Sequence, residues 1–463
     1  MWLLCVASAL ALDIYEGDDL FAALAAASPG DEIIVHAGTY STQSSGGSYY
    51  REVVLSGTEA APIVVRAADG EAVLIEGDPA ASQNIVNLSG SWYTWSGFEM
   101  RYGSHGLRLG SSSHGQILNN DIHDTADVGL SMNIPGATYD QMLVSGNQIH
   151  DTSGTGEGMY LGCNDGDCAV TDSVIQGNHV HDTADSEQGD GIELKSGSTG
   201  NLISHNVIQN TNYPAITMYG TYGGAPNVVS GNLIIGTVDN GIQIVGDVGV
   251  YNNVIIDAGA YGIYSKASQG AYPDALRILH NAVVDAGEGC FRANDWDDIT
   301  DAVVANNLLL CEGGTAIRLG GGAGAAIWSA NMGLGDASVE GWTDGGSAGA
   351  LVVNAGAYDV APVEGGPLVD AGDPDWTLED DFHGTPRSDG RPDIGVVELV
   401  AEGGEGEGEG EGEGEGEDTA VDLPKEGGCG CASSSETGGA GWVIGLAGLA
   451  ALRRRPRLAR PSW

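Results

Sequence analysis

Basic residues are scarce in this chain. Its 463 residues hold 17 Lys and Arg against 64 Asp and Glu, a formal net charge of −47. So negative a surface repels nucleic acid and anionic lipid, which excludes a phosphate-backbone partner, and it favours divalent cations. Glu402 to Asp418 carry nine of the acidic charges, so the rest of the chain is acidic too. Aromatic residues are few, at 6%, whereas Gly numbers 75. That composition suits many short strands and turns and disfavours a helical core. No Gly-x-Ser-x-Gly elbow, P-loop or EF-hand loop occurs, and no Cys pair has zinc-site spacing with His.

What is present is a repeat. An Asn with an apolar residue three before it and another two after it recurs eight times: at Asn120, Asn147, Asn178, Asn206, Asn232, Asn253, Asn281 and Asn307. The steps between them run from 21 to 31 residues. The apolar positions alternate as strands do, so the drifting period predicts a β-solenoid with loop insertions. One coil cannot bury its own apolar face, so coils must stack, about 4.8 Å apart. The Asn side chains then form an internal ladder, which explains them without catalysis. The expected fold is all-β, a right-handed parallel β-helix of roughly nine to twelve coils. The Ala-rich stretch Asp18–Ala27 is the candidate helix capping its open end, before a strand at Glu32–Val35.

The ends read as addresses. Met1 to Ala11 is an apolar run ending in Ala9-Leu10-Ala11, the pattern of an export signal. In an exported chain Cys163 with Cys168, and Cys290 with Cys311, are candidate disulfides. Glu402–Glu417 is a Glu-Gly repeat that stays extended. Cys429-Gly430-Cys431 follows, then an apolar run Gly438–Leu452 and Arg453-Arg454-Arg455. At about 15 residues the run is short for a membrane span, and the Arg cluster fits a cytoplasmic stop. The expected organisation is a signal at 1–11, a capped solenoid at 12–320, its C-terminal end at 321–400, an acidic linker at 401–426 and a sorting segment at 427–463.

Three resemblances add to this. The start of the repeat, with Gly57-Thr58 and Ala61-Pro62-Ile63-Val64-Val65, resembles right-handed β-helix proteins of the pectate-lyase type. Gly366-Pro367-Leu368-Val369-Asp370-Ala371-Gly372, running on through Asp381, Arg387 and Asp393-Ile394-Gly395 to Glu398, resembles the choice-of-anchor module of surface-anchored bacterial β-helices. That implies closure of the solenoid's C-terminal end. The order Cys-Gly-Cys, apolar span, Arg cluster resembles a myxobacterial sorting signal. It implies a processing protease acting near Cys429 and Cys431, and display on the outer surface through a membrane tether. A plain C-terminal membrane anchor is the alternative.

Candidate chemistry lies on a second repeated strand, such as Gly158-Met-Tyr-Leu and Gly191-Ile-Glu-Leu. Residues one and three after the small residue point inward, and residues two and four point out. The outward columns hold Arg108, Ser131, Tyr160, Glu193, Thr217, Gln243 and Tyr264, and beside them Lys195, Tyr219 and Lys266. Such a strip suits an extracellular polysaccharide, with Arg108, Tyr160, Gln243, Tyr264 and Lys266 as contacts. Ordinary solvated strand surface fits equally. Glu157 and Asp190 stack on neighbouring coils with Glu193 near them, and the like charges repel, which a Ca²⁺ would relieve; separate solvated side chains are the alternative. His123, His150 and His181 form a further column, read as stacked imidazoles beside turn-forming Asp and Thr, with a metal ladder as the alternative.

Asp190-Gly191-Ile192-Glu193-Leu194-Lys195-Ser196 resembles the active coil of the polysaccharide lyase family containing alginate lyases and chondroitinase B. The resemblance implies Asp190 as a calcium ligand and Lys195 as base for β-elimination of a polyuronate. The family's acid is an Arg on the next coil, where this chain has Tyr219, a candidate proton donor. Lys195 is expected to point to solvent. A non-catalytic adhesin or structural surface protein is the alternative. A lyase predicts that Lys195, Tyr219 and the carboxylates converge, and an adhesin predicts only an extended strip.

Overall fold

The computed structural model describes residues 11–400. The chain winds as a right-handed parallel β-helix. A typical coil has three short strands, Val174–Gln176, His179–His181 and Ile192–Leu194. Each pairs in parallel with its counterpart one coil on: Ile175 faces Ile203, Val180 faces Ile208 and Ile192 faces Ile216. These residues point inward and are fully buried. Each such side chain contributes about 1.5–3 kcal/mol of burial, realised only when a neighbouring coil covers it.

The helix Leu20–Ala26 lies over the first coils, with Leu20 and Leu24 buried and Asp19 accepting from the Ala22 N–H at its N-cap. One face of the solenoid is a 13-stranded sheet that starts at Gly38–Ser41 and ends at Trp342–Asp344. Its last two strands, Asn331–Asp336 and Trp342–Asp344, lie past residue 320, so coils continue into the C-terminal segment.

The Asn ladder forms as the repeat implies and extends to Asn331. Each amide donates to the next Asn Oδ1, as from Asn178 to Asn206 at 2.9 Å, and to a strand carbonyl, as from Asn178 to Val144 at 3.0 Å. A second ladder, Ser173–Asn201–Asn227, stacks at another corner. The residue before each main-ladder Asn turns the chain in the left-handed region, as at His205, Asn252, His280 and Asn306.

Residues 366–398 lie along the flank of the last coils. Asn252 donates to the Asp380 carbonyl, His280 pairs with the Gly395 carbonyl, and Asn306 donates to the Asp373 and Trp376 carbonyls. The expected role of this segment was closure of the end, but these contacts run up the side over three successive coils. A buried Arg387–Glu398 pair holds it together.

Cys163 bridges Cys168, and Cys290 bridges Cys311. The expected signal at 1–11, apart from Ala11, lies outside the described residues. So do the linker and the sorting segment with Cys429 and Cys431. Among the described residues no helix is long and apolar enough to cross a membrane.

Candidate functional site

The second strand of each coil builds a continuous strip. Register carries Arg108 to Ser131, Tyr160, Glu193, Thr217, Gln243 and Tyr264 on successive coils, as the sequence implies. It then continues to Arg292 and Arg318. Those two were missed, although Ala316-Ile317-Arg318-Leu319 repeats the motif. The small residue that opens each strand is dictated by packing. A Cβ on Gly158 would fall 2.3 Å from Val180 Cγ1 on the facing sheet.

Lys195, Tyr219 and the three acids converge. Lys195 Nζ pairs with Glu193 Oε1, and the Tyr219 hydroxyl donates to the same oxygen at 3.2 Å. The Lys195 ammonium lies 4.3 Å from the Tyr160 ring centre and 5.0 Å from that of Tyr219. Gly162 makes room for this. Its φ is +94°, and a Cβ there would fall 3.1 Å from Lys195 Cβ.

The expectation that Lys195 points to solvent is corrected. Its side chain is only 6% exposed, and that of Glu193 4%. The residues do face outward, but Lys195 is packed against Glu193 and over the Tyr160 and Tyr219 rings. Gln269, at the tip of a turn, reaches Ser196, and its carbonyl accepts from Tyr222. The acids are likewise buried and are not separate solvated groups.

Glu157, Asp190 and Glu193 present carboxylate oxygens all within 4.8 Å of one another. Thr217 donates to Asp190 at 2.6 Å. Glu157 Oε2 and Glu193 Oε2 are buried without any partner. Two orphaned carboxylate oxygens beside a third carboxylate fit a hard divalent cation such as Ca²⁺. Burial, and then the neighbouring Glu193, push the Asp190 carboxyl well above its ordinary pKa. Burial raises Glu157 too. For Lys195, burial favours the neutral amine, but adjacent Glu193 outweighs it and raises the pKa. Burial raises the Tyr219 phenol, which therefore stays protonated at neutral pH.

The remaining strip residues stand apart from this cluster. Arg108 donates to Asn133, and Lys266 sits over the Tyr264 ring. The His column stacks as expected, with ring centres of His123, His150 and His181 at 4.9 and 4.6 Å. Each pairs through Nδ1 with the following Asp, which occupies a left-handed turn.

The family model described as a right-handed β-helix region matches residues 81–249 and, overlapping, 174–309. Comparison with the curated proteins gives no match. Among solved structures the chain is similar to an alginate lyase from Paenibacillus sp. str. FPU-7, at 18% identity over 69% of this chain and 98% of that one, TM-score 0.43. It is similar to the pectate lyase Pel9A at 15% identity, over 84% and 96% of the two chains, TM-score 0.47. A mannuronic acid specific family 6 lyase from human gut microbiota gives 12% identity over 72% and 90%, TM-score 0.45. At such identities the likeness is one of fold.

Proposed function

We propose that this protein binds an extracellular polyuronate and cleaves it by β-elimination, with Lys195 as base and Tyr219 as proton donor. The observation that carries this is their meeting on one oxygen, Glu193 Oε1, beside a buried carboxylate triad. Lys195 would take the proton alpha to the uronate carboxyl. The C–H electron pair forms the new C=C bond, the bond to the leaving oxygen breaks, and the neutral Tyr219 phenol protonates that oxygen. Glu157, Asp190 and Glu193 would hold Ca²⁺, which supplies a positive charge to neutralise the uronate carboxylate and acidify the adjacent C–H. Tyr160 and Tyr219 offer rings for pyranose faces on either side.

A second reading, a non-catalytic adhesin, is favoured by one observation: Lys195 is buried and ion-paired with Glu193, whose charge outweighs burial and raises its pKa. The deciding assay incubates the purified protein with alginate, its separated uronate blocks, pectate and chondroitin, with Ca²⁺ or with chelator. The lyase reading expects the unsaturated-uronate absorbance band with Ca²⁺, abolished in Lys195→Ala. No product from any polymer would refute the lyase reading, and binding of a polymer without product would support the adhesin.

We also propose that the protein is exported and displayed at the cell surface by its C-terminal segment. The two disulfides suit an oxidising compartment, and the 427–463 segment has the composition of a sorting signal. Deleting 427–463 should release the protein to the medium; retention on cells refutes the tether.

A further inference from the structure

The histidine column on the 13-stranded sheet takes no part in the chemistry proposed above. His123 and His150 lie in register on successive coils, their rings 4.9 Å apart and parallel to within 6°. Nδ1 of each meets the carboxylate of the next residue, Asp124 at 2.9 Å and Asp151 at 2.7 Å. A carboxylate only accepts, so Nδ1 donates, and in the neutral ring Nε2 keeps its lone pair. A second carboxylate, from the preceding coil, stands by each Nε2: Glu99 at 3.4 Å from His123, and Asp121 at 3.1 Å from His150. Glu99 and Asp121 are themselves in register. The four groups therefore form two His–carboxylate pairs one coil, or about 4.8 Å, apart. Glu99 and Asp121 are 39% and 46% exposed, so the patch is open to solvent. Arg101, in register with His123, faces it too, but pairs with Glu76 at 3.1 Å and lies 4.0 Å from Glu99.

An imidazole whose Nδ1 is held by a carboxylate, with Nε2 turned to a further donor, is the arrangement that orients metal-ligating histidines. We propose that Glu99, Asp121, His123 and His150 form a site for a transition-metal ion such as Zn²⁺. Two imidazoles and two carboxylates suit that class, whereas the all-oxygen triad around Asp190 suits a harder cation. The centre of a rectangle of about 3.3 by 4.8 Å lies about 2.9 Å from its corners, against metal bonds of about 2.0–2.2 Å, so each donor moves in by about 0.8 Å and the rings tilt together. Two carboxylates and one divalent cation sum to zero charge. The ion joins three successive coils, those of Glu99, Asp121 and His150. Two other histidines lack the full donor set. Register puts Gln148 where a carboxylate would meet His181. His36 lies between Asp13 and Glu71 but stacks on Tyr15 and not on an imidazole. The site is independent of the polyuronate reading.

The test titrates Zn²⁺ into the untagged protein by calorimetry at about pH 8, because ion and proton compete for Nε2. Excess Ca²⁺ is present throughout to occupy oxygen-only sites. Wild type should bind a single Zn²⁺. His123→Gln and His150→Gln should each weaken binding by about tenfold or more, and Asp151→Asn, which keeps all four donors, by about tenfold to a hundredfold. His181→Gln should bind as wild type does. A second measurement needs no variant. By proton NMR, paramagnetic Co²⁺ should broaden the ring signals of His123 and His150 at concentrations that leave His36 and His205 sharp. Absence of Zn²⁺ binding, undiminished binding in either His123→Gln or His150→Gln, or broadening that starts at His36 overturns the site and leaves the two pairs as hydrogen bonds alone.

Discussion

Replacing Lys195 with Met tests how the buried charges are balanced. The substitution keeps the volume of the stem between Tyr160 and Tyr219 but removes the ammonium that Glu193 faces. Glu157, Asp190 and Glu193 then share a buried site with no positive group. Removing one partner of a buried pair costs about 3–5 kcal/mol, because the other charge stays uncompensated. For about 390 folded residues the unfolding entropy is about 0.8 kcal/mol per kelvin, so the melting temperature should fall about 4–6 °C in chelator. With Ca²⁺ the fall should shrink, since a cation at the triad takes over the compensation and adds about 2.7 kcal/mol at a hundred times its Kd. Differential scanning calorimetry of both proteins, with Ca²⁺ and with chelator, gives four melting temperatures. An unchanged or higher value for Lys195→Met in chelator would show that the ion pair stabilises nothing, and the same shift in both conditions would remove the cation from the triad.

Two other predictions follow from neighbouring parts of the fold. Asn206→Ala should destabilise the solenoid by roughly 2–6 kcal/mol, because Asn178 loses the acceptor for both its backbone N–H and its amide while the Ile175 carbonyl loses a donor; urea unfolding measures it, and a loss below about 1 kcal/mol would refute the ladder's role. His150 is raised to about 9, first by its hydrogen bond to Asp121. Its folded pKa exceeds the unfolded value near 6.5, so this stabilisation is complete below about pH 6.5 and is lost as pH rises through about 9. Discounted for the half-exposed Asp121, it amounts to about 1 kcal/mol. Proton NMR should find the His150 midpoint falling towards the ordinary range in Asp121→Asn, a variant that keeps the stacked His123 and His181 rings and the paired Asp151 in place. An unmoved midpoint refutes the assignment.

The coil period, the Asn ladder and the outward columns were legible in the sequence because each is set locally. An Asn between alternating apolar residues and a Gly opening a strand act within one coil, and register repeats them on the next. The short ladder Ser173–Asn201–Asn227 spans too few coils to stand out, although each member precedes an apolar pair. The burial of Lys195 was not legible. Contacts in its neighbourhood join residues far apart in sequence: Ser196 meets Gln269, 73 residues away, and the Tyr222 hydroxyl donates to the Gln269 carbonyl, 47 away. The flank segment has the same character: His280 and Gly395 are 115 residues apart. Outward on a strand therefore did not mean exposed.

The charges at the site order its chemistry. With every group ionised, three carboxylates and one ammonium leave two negative charges in a buried space, and one divalent cation brings the sum to zero. A Lys that acts as base must give up its proton first, and beside an uncompensated Glu193 it holds that proton more tightly. Cation occupancy draws Glu193 away from Lys195 electrostatically and lowers the affinity of the amine for its proton. On the lyase reading, the same burial that argues for a structural Lys becomes the means of control. Elimination should follow cation occupancy with a pH profile that shifts to lower pH as Ca²⁺ is raised, because the amine deprotonates more readily. A profile independent of Ca²⁺, measured on any polymer that yields product, would separate Lys195 from the triad and leave the base unassigned.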